Sequence, residues 1–150
     1  MIIQTLIVAL SLVGLANALY FTFAYYGRIK KARWVPEILC AREGSSCVTV
    51  VQTPYARVFG VPNSLLGIFY YFLLIGWVFT GVSFGPTMTV GSRGVSASNL
   101  ALIASSAATV LLGFYLIYAL RRKLQTHCPL CYLGHAINAT LLVLLMIVIM

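Results

Sequence analysis

Residues 128–150 read CPLCYLGHAINATLLVLLMIVIM, and this stretch decides the fold. From Pro129 to Met150 it contains no Asp, Glu, Lys or Arg. A helix that crosses the hydrocarbon core of a bilayer needs about 20 mostly apolar residues. The stretch therefore predicts a membrane-spanning helix over residues 129–150.

Three other stretches have the same character. Residues 4–26, 64–82 and 98–120 are also long, apolar and free of Asp, Glu, Lys and Arg. Of all 150 residues, 61% are hydrophobic and 8% are charged, against about 45–50% and about 25% in soluble domains. Backbone amides inside a bilayer have no water to bond, so helices are the expected form. We predict an all-α integral membrane protein, a four-transmembrane-helix bundle in membrane lipid, as a single domain over residues 1–150.

The first span has a second interpretation. Its Ala16-Asn17-Ala18 sequence resembles the cleavage site of a signal peptide. No positively charged segment precedes the apolar run, which continues to Tyr26, so we favour a retained helix. The connection that follows, residues 27–63, is a long loop with room for a short helix, and loops of that length in compact bundles are usually functional.

Small residues predict how the third span packs. Side chains of this size let neighbouring helix backbones approach closely in a membrane. The small residues in this span are Ala101, Ala104, Ser105, Ala107 and Ala108.

The cations predict the orientation in the membrane. Ten Lys and Arg against Glu37 and Glu43 give a formal net charge of +8. All but Arg93 fall in the first and third connections, at positions Arg28, Lys30, Lys31, Arg33, Arg42, Arg57, Arg121, Arg122 and Lys123. The positive-inside rule places these connections in the cytoplasm and both termini outside. The cations flank the spans and do not form a basic helix or strand that could enter a groove of DNA or RNA. We therefore expect no nucleic-acid partner.

The four cysteines form two pairs on the cation-rich face. Cys40 and Cys47 lie in the long connection, and Cys128 and Cys131 open the fourth span. A C-x-x-C sequence at a helix start is a redox motif, because the positive end of the helix stabilises a thiolate. Pro129 suits the first helical turn, where its missing N–H costs nothing. The sequence predicts a pair that is oxidised and reduced repeatedly.

Two other interpretations of the cysteines stay open. A structural zinc site of four cysteines usually has two short C-x₂₋₄-C units, whereas six residues separate Cys40 from Cys47. We therefore predict no metal. Two static disulfides are the other interpretation, and a membrane scaffold or small transporter without enzyme activity would use its cysteines in that way. A transporter more often carries a charged residue within a span.

Polar residues of the second and fourth spans predict a pocket. Residues at spacings of three and four share one helix face, and intramembrane polar groups usually face a cavity or partner. The residues on such a face of the fourth span are Cys128, Cys131, His135 and Asn138. Hydrogen bonds across the bundle are the alternative role for His135 and Asn138. In the second span Asn63 shares a side with Tyr70, and an amide donor beside aromatic surface suits a flat, carbonyl-bearing ring.

In this order and spacing the motifs resemble the vitamin K epoxide reductase family, whose four-helix membrane proteins pass electrons from thiols to quinones. The resemblance covers nearly the whole chain. It rests on the cysteine pair of the long connection, Thr53 six positions after Cys47, the Asn63-Ser64 step, Cys128-Pro129-Leu130-Cys131, and Ala136-Ile137-Asn138. The likeness is to the archaeal and bacterial members that form disulfide bonds, and the cations indicate an inward-facing one.

The resemblance implies roles for individual residues. Cys131 would contact the quinone and Cys128 would be its partner, while Cys40 and Cys47 would shuttle electrons to Cys128. Asn63 would hydrogen-bond one quinone carbonyl, and His135 stands where the family often has a tyrosine for the other. Thr53 and Tyr70 are further candidates for the quinone pocket.

The resemblance also implies a cofactor and a partner. The quinone would be of the menaquinone or ubiquinone type. We expect no fused thioredoxin-like domain, so a separate thioredoxin-fold protein would supply the electrons and then introduce disulfides into other proteins.

Overall fold

Four long helices dominate the structure, a computed structural model that describes residues 2–28, 47–58, 60–81, 87–90 and 93–149. In chain order the helices are α1 (Ile2–Tyr25), α2 (Cys47–Gln52), α3 (Asn63–Thr80), α4 (Ala97–Tyr118) and α5 (Pro129–Ile149). All of these except the short α2 are long and apolar enough to cross a membrane. The predicted all-α bundle with four spans is confirmed, and so is the short helix after the first span.

The helix ends follow from local sequence. Ser96 accepts a hydrogen bond at 3.4 Å from the amide of Asn99 and so caps the start of α4. Gly81 ends α3 in the left-handed conformation, at a φ of 58°, and its amide donates to the carbonyl of Trp77. α5 begins at Pro129, as the sequence predicts.

A π-helical turn extends α4 on the side of the cysteines. It covers Ala119–Lys123, and the amide of Leu124 donates to the carbonyl of Ala119 at 2.9 Å. Gln125, at a φ of 49°, then turns the chain toward α5. Single π turns within α-helices often occur at functional sites, and no residue pattern in the sequence indicated this one.

Two small antiparallel hairpins were not predicted. β1 (Arg57–Val58) pairs with β2 (Val61–Pro62), and β3 (Thr87–Val90) pairs with β4 (Arg93–Ser96). Each hairpin joins strands of two to four residues. Strands this short show too few alternating positions to be told from loop sequence.

The helices pack around α1 and α5. α1 contacts α3 and α5, α4 contacts α5, and α2 lies against α1. The centre of the bundle contains the fully buried side chains Ile7, Leu74, Leu141 and Leu145.

The small residues of α4 do not all lie at a helix contact, although the sequence suggests that they do. Ala101, Ala104 and Ser105 are exposed, whereas Ser106 and Gly113 are buried. The buried positions are seven residues apart and so lie on one face of the helix. Small side chains by themselves do not tell which face of a helix meets protein and which meets lipid.

Gly14 allows a close approach of α1 to α3. A Cβ atom at this position would overlap the ring of Tyr71, whereas a Cβ at Gly76 of α3 would meet nothing within 4 Å. We expect Gly14→Ala to lower the free energy of unfolding by about 1–3 kcal/mol, the usual cost of overpacking. Thermal unfolding in detergent measures the change, and Gly76→Ala is the matched control. Equal stabilities of the two variants would contradict the packing described here.

Candidate active site

Cys128 and Cys131 form a disulfide at the start of α5, with Cα atoms 5.3 Å apart. The carbonyl of Cys128 accepts from the amides of Cys131 and Tyr132, at 3.1 and 3.2 Å, and so begins the first turn. The amide of Cys131 also lies 3.3 Å from Cys128 Sγ, to which it donates. Backbone donors at a helix N-terminus favour the thiolate over the thiol. The geometry therefore suits cysteines that leave a disulfide as thiolates.

Cys128 is fully buried in a cluster separate from the bundle centre. The cluster combines α1, α2 and the π turn through Tyr20, Phe21, Ala24, Val51 and Leu120. Of the polar residues predicted to share one face of the fourth span, Cys131, His135 and Asn138 line one cavity, and Cys128 does not.

A cavity of about 240 Å³ lies beside Cys131. Its walls come from α1, α3, α4 with the π turn and Leu124 that follow it, α5, and α2 with the residues that follow it. Cys131, His135 and Asn138 line it from α5. Asn63, Thr53 and Tyr70 line it as well, so the structure brings the predicted pocket residues of three separate chain segments around one space.

The hydroxyl groups of the cavity are mostly engaged by the protein. Tyr70 Oη donates to Ser106 Oγ at 2.9 Å, and Thr53 Oγ1 donates to the carbonyl of Val50 at 2.7 Å. These two residues therefore contribute a ring and a methyl group to the wall.

Asn138 combines the two roles that the sequence left open. Its Oδ1 accepts a hydrogen bond from Tyr71 Oη at 2.7 Å, which joins α5 to α3. The same residue lines the cavity. Since the bond to Tyr71 fixes the orientation of the amide, Asn138 is a cross-bundle contact as well as part of the wall.

Asn63 and His135 are two hydrogen-bond donors available to a ligand. Among the described residues, neither side chain has a hydrogen-bond partner, and both line the cavity. A Cβ on Gly113 would lie 2.8 Å from His135 Nδ1, so this glycine makes room for the imidazole. Both side chains can donate a hydrogen bond to a carbonyl oxygen.

Asn17 is a cavity residue that the sequence analysis did not select. Its Nδ2 donates to the carbonyl of Leu130 at 3.2 Å, between the two cysteines. A polar amide in the middle of an apolar span was the available signal, because such residues are costly in a membrane unless they have a partner.

The first cysteine pair is described only in part. Cys47 is the first residue of α2, one helical turn before Val51, which packs in the cluster around Cys128. Cys40 lies outside the described residues. Within the described ranges, no group of three or more His, Cys, Asp or Glu side chains is arranged to hold a metal ion.

Comparison with protein families identifies the chain. Residues 5–146 match the model of the vitamin K epoxide reductase family. The chain belongs to this family. Its members are membrane thiol–disulfide oxidoreductases, which makes this chain a multi-pass membrane oxidoreductase and confirms the resemblance seen in the motifs. A comparison with curated protein sequences gives no significant match.

In this member of the vitamin K epoxide reductase family, cations lie at the end of the bundle that carries Cys128. The Arg57 guanidinium lies over the ring of Tyr25, 5.4 Å from its centroid, and that of Arg121 lies 5.7 Å from the centroid of Tyr132. Arg28, Arg122 and Lys123 are exposed at the same end. Aromatic faces hold the two arginines by cation–π attraction.

Proposed function

We propose that this protein is a membrane thiol:quinone oxidoreductase that reoxidises a thioredoxin-fold partner for disulfide-bond formation. One observation carries the proposal: Cys131, half of a disulfide at a helix N-terminus, lies in the wall of a cavity with available donors at Asn63 and His135.

The cavity suits the head group of a quinone. Its volume of about 240 Å³ is close to the lower end of the roughly 300–1,000 Å³ typical of small-molecule sites. The ring of a quinone fits such a space while the tail of the molecule lies in lipid. Asn63 and His135 would each donate to a carbonyl oxygen of the ring, and the Tyr70 side chain supplies aromatic surface beside it. Menaquinone and ubiquinone both have a head group of this kind.

Cys131 performs the last electron transfer in the proposed scheme. In the reduced protein, the Cys128 and Cys131 thiols lose two electrons and two protons and form their disulfide. The quinone gains the same two electrons and two protons and leaves as the hydroquinone. Cys131 is the sulfur next to the ring, whereas the burial of Cys128 outside the cavity leaves it to exchange with the other cysteine pair.

Cys40 and Cys47 serve as the shuttle pair. A thiolate of the reduced partner attacks the Cys40–Cys47 disulfide, and a shuttle thiolate then attacks Cys128, which releases the Cys131 thiolate. The position of Cys47 supports this order, because α2 packs against the cluster that buries Cys128. Each exchange consumes one disulfide and forms another, so the electrons move without a further reductant.

The number of thiols tests the function. The purified protein is reduced with a dithiol under anaerobic conditions, freed of reductant, and mixed with a short-chain quinone. We expect two thiols to disappear for each hydroquinone formed. A scaffold or transporter with structural cysteines would keep its thiol count and form no hydroquinone, and that result would contradict the proposal.

The orientation of the protein is a further part of the proposal. Nine of its ten Lys and Arg belong to the two connections that carry the cysteines, so we place the active site in the cytoplasm. Disulfides are rare in most cytosols, but intracellular proteins of hyperthermophiles contain them. A periplasm-dependent reporter fused after Met150 should be active, and the same reporter placed after Arg122 should be silent. The opposite pattern would show that the cysteines face outward.

His135→Phe tests the ring pocket. The substitution keeps an aromatic ring beside Gly113 but removes the hydrogen-bond donor. We expect the KM for quinone to rise about tenfold, as for the loss of one hydrogen bond, with little change in kcat. Tyr70→Phe is the control, since the Tyr70 hydroxyl bonds Ser106. An unchanged KM for His135→Phe would assign that residue to packing.

A further inference from the structure

Asn17 is a polar side chain that the scheme above does not use. It lies in the middle of α1 and lines the same cavity as Cys131. Its Nδ2 donates to the carbonyl of Leu130, 3.2 Å away, in the first turn of α5. A carbonyl only accepts hydrogen bonds, so this contact identifies the nitrogen end of the amide and leaves Oδ1 as the other end.

Asn17 Oδ1 is an acceptor without a donor. It is buried, and no described residue donates a hydrogen bond to it. The side chain fits closely against α5, because a Cβ added at Gly134 would lie 2.8 Å from Asn17 Nδ2. A buried acceptor without a partner is unfavourable, and any bound molecule that brings a donor to it is favoured.

The two redox states of a quinone differ in what they offer this atom. The oxidised ring has carbonyl oxygens, which only accept hydrogen bonds, whereas the hydroquinone has hydroxyl groups, which also donate. Asn63 and His135 can bond either state, since an oxygen acceptor is present in both. Asn17 Oδ1 can bond only the reduced one.

We propose that Asn17 is a specificity-determining residue of the quinone site, which accepts a hydrogen bond from a hydroxyl of the hydroquinone. The inference rests on the proposed function. The Cys128 and Cys131 thiols become a disulfide, and the ring takes up their two electrons and two protons. A hydroxyl of the new hydroquinone then donates a hydrogen bond to Asn17 Oδ1. A site that binds the product state more tightly than the substrate state favours electron transfer onto the bound ring.

Equilibrium binding to matched redox forms tests the proposal. The oxidised protein does not react with a quinone and the reduced protein does not react with a hydroquinone, so each dissociation constant is measured without turnover. The probe is a short-chain menaquinone analogue, added to the full chain in detergent by calorimetric titration under anaerobic conditions. The variant is Asn17→Leu, which keeps the size of the side chain and removes both the Oδ1 acceptor and the Nδ2 donor to Leu130.

We expect Asn17→Leu to weaken hydroquinone binding about tenfold, as for one lost hydrogen bond, and to leave quinone binding within about twofold. The unchanged quinone affinity also reports that the variant is folded. Asn99→Leu is the control, since Asn99 bonds Trp77 Nε1 at 3.0 Å and does not line the cavity. If Asn17→Leu does not accumulate in cells, Asn17→Ser replaces it. This variant is also expected to weaken hydroquinone binding relative to quinone binding.

Three results would overturn the inference. Equal weakening of both ring states would mean that Asn17 only shapes the cavity, and no change in either would mean that it plays no part in binding. A shift in the reduction potential of the Cys128–Cys131 pair, with both affinities unchanged, would identify a cysteine thiol as the donor to Oδ1. If the wild-type protein binds neither ring, the proposed function itself fails, and that result is separate from the other three.

Discussion

Cys131→Ser is expected to abolish quinone reduction. The serine oxygen neither forms a disulfide with Cys128 nor leaves one as a stable anion, so the two electrons have no route to the ring. We expect kcat to fall by at least about a thousandfold, the order of loss when a covalent reacting group is removed. Stopped-flow measurement of hydroquinone formation from the reduced protein gives the rate.

A control variant and a second measurement accompany Cys131→Ser. Ser106→Ala serves as a control for removing a buried polar atom, because Ser106 lies on α4 and bonds Tyr70 outside the cysteine cluster. It should keep a normal rate. Cys131→Ser should also accumulate a mixed disulfide between Cys128 and a shuttle cysteine under oxidising conditions, which electrophoresis of protease fragments detects. Normal quinone reduction by Cys131→Ser would refute the assignment of the sulfur next to the ring.

The second large effect is expected from Cys40→Ala. Without the shuttle pair, a thioredoxin-fold partner cannot hand two electrons to Cys128, and turnover with the partner should fall by at least about a hundredfold. A small dithiol can reach the Cys128–Cys131 disulfide directly, so its turnover should stay within about fivefold of the wild type. The experiment compares quinone reduction driven by the two electron donors.

The ratio of the two rates is the decisive quantity. Ser45→Ala, in the same connection, is the control and should change neither rate. Equal loss with both donors would show that Cys40 is needed for the chemistry at the Cys128–Cys131 pair itself. Full activity with the protein partner would remove Cys40 from the electron path.

The features that the sequence predicts correctly are those for which one short segment carries all the information. The ends of the four spans agree with the structure to within about two residues, because a run of apolar residues is sufficient to specify a helix in lipid. The start of α5 at Pro129 was predicted for the same kind of local reason. Two features depend on neighbouring segments and were not predicted: the buried positions of α4, and the burial of Cys128 outside the cavity that Cys131 lines.

The sequence by itself determined the four spans, the family, and the placement of two cysteines where the fourth helix begins. These properties follow from local hydropathy, from helix-terminal chemistry and from motif order along the chain. Only the tertiary structure decided that Cys131 lines a cavity while Cys128 is buried beneath α2. It also decided that Asn17 of α1 contacts the turn between them. Contacts between segments more than a hundred residues apart depend on how helices rotate and approach one another, which no single segment encodes.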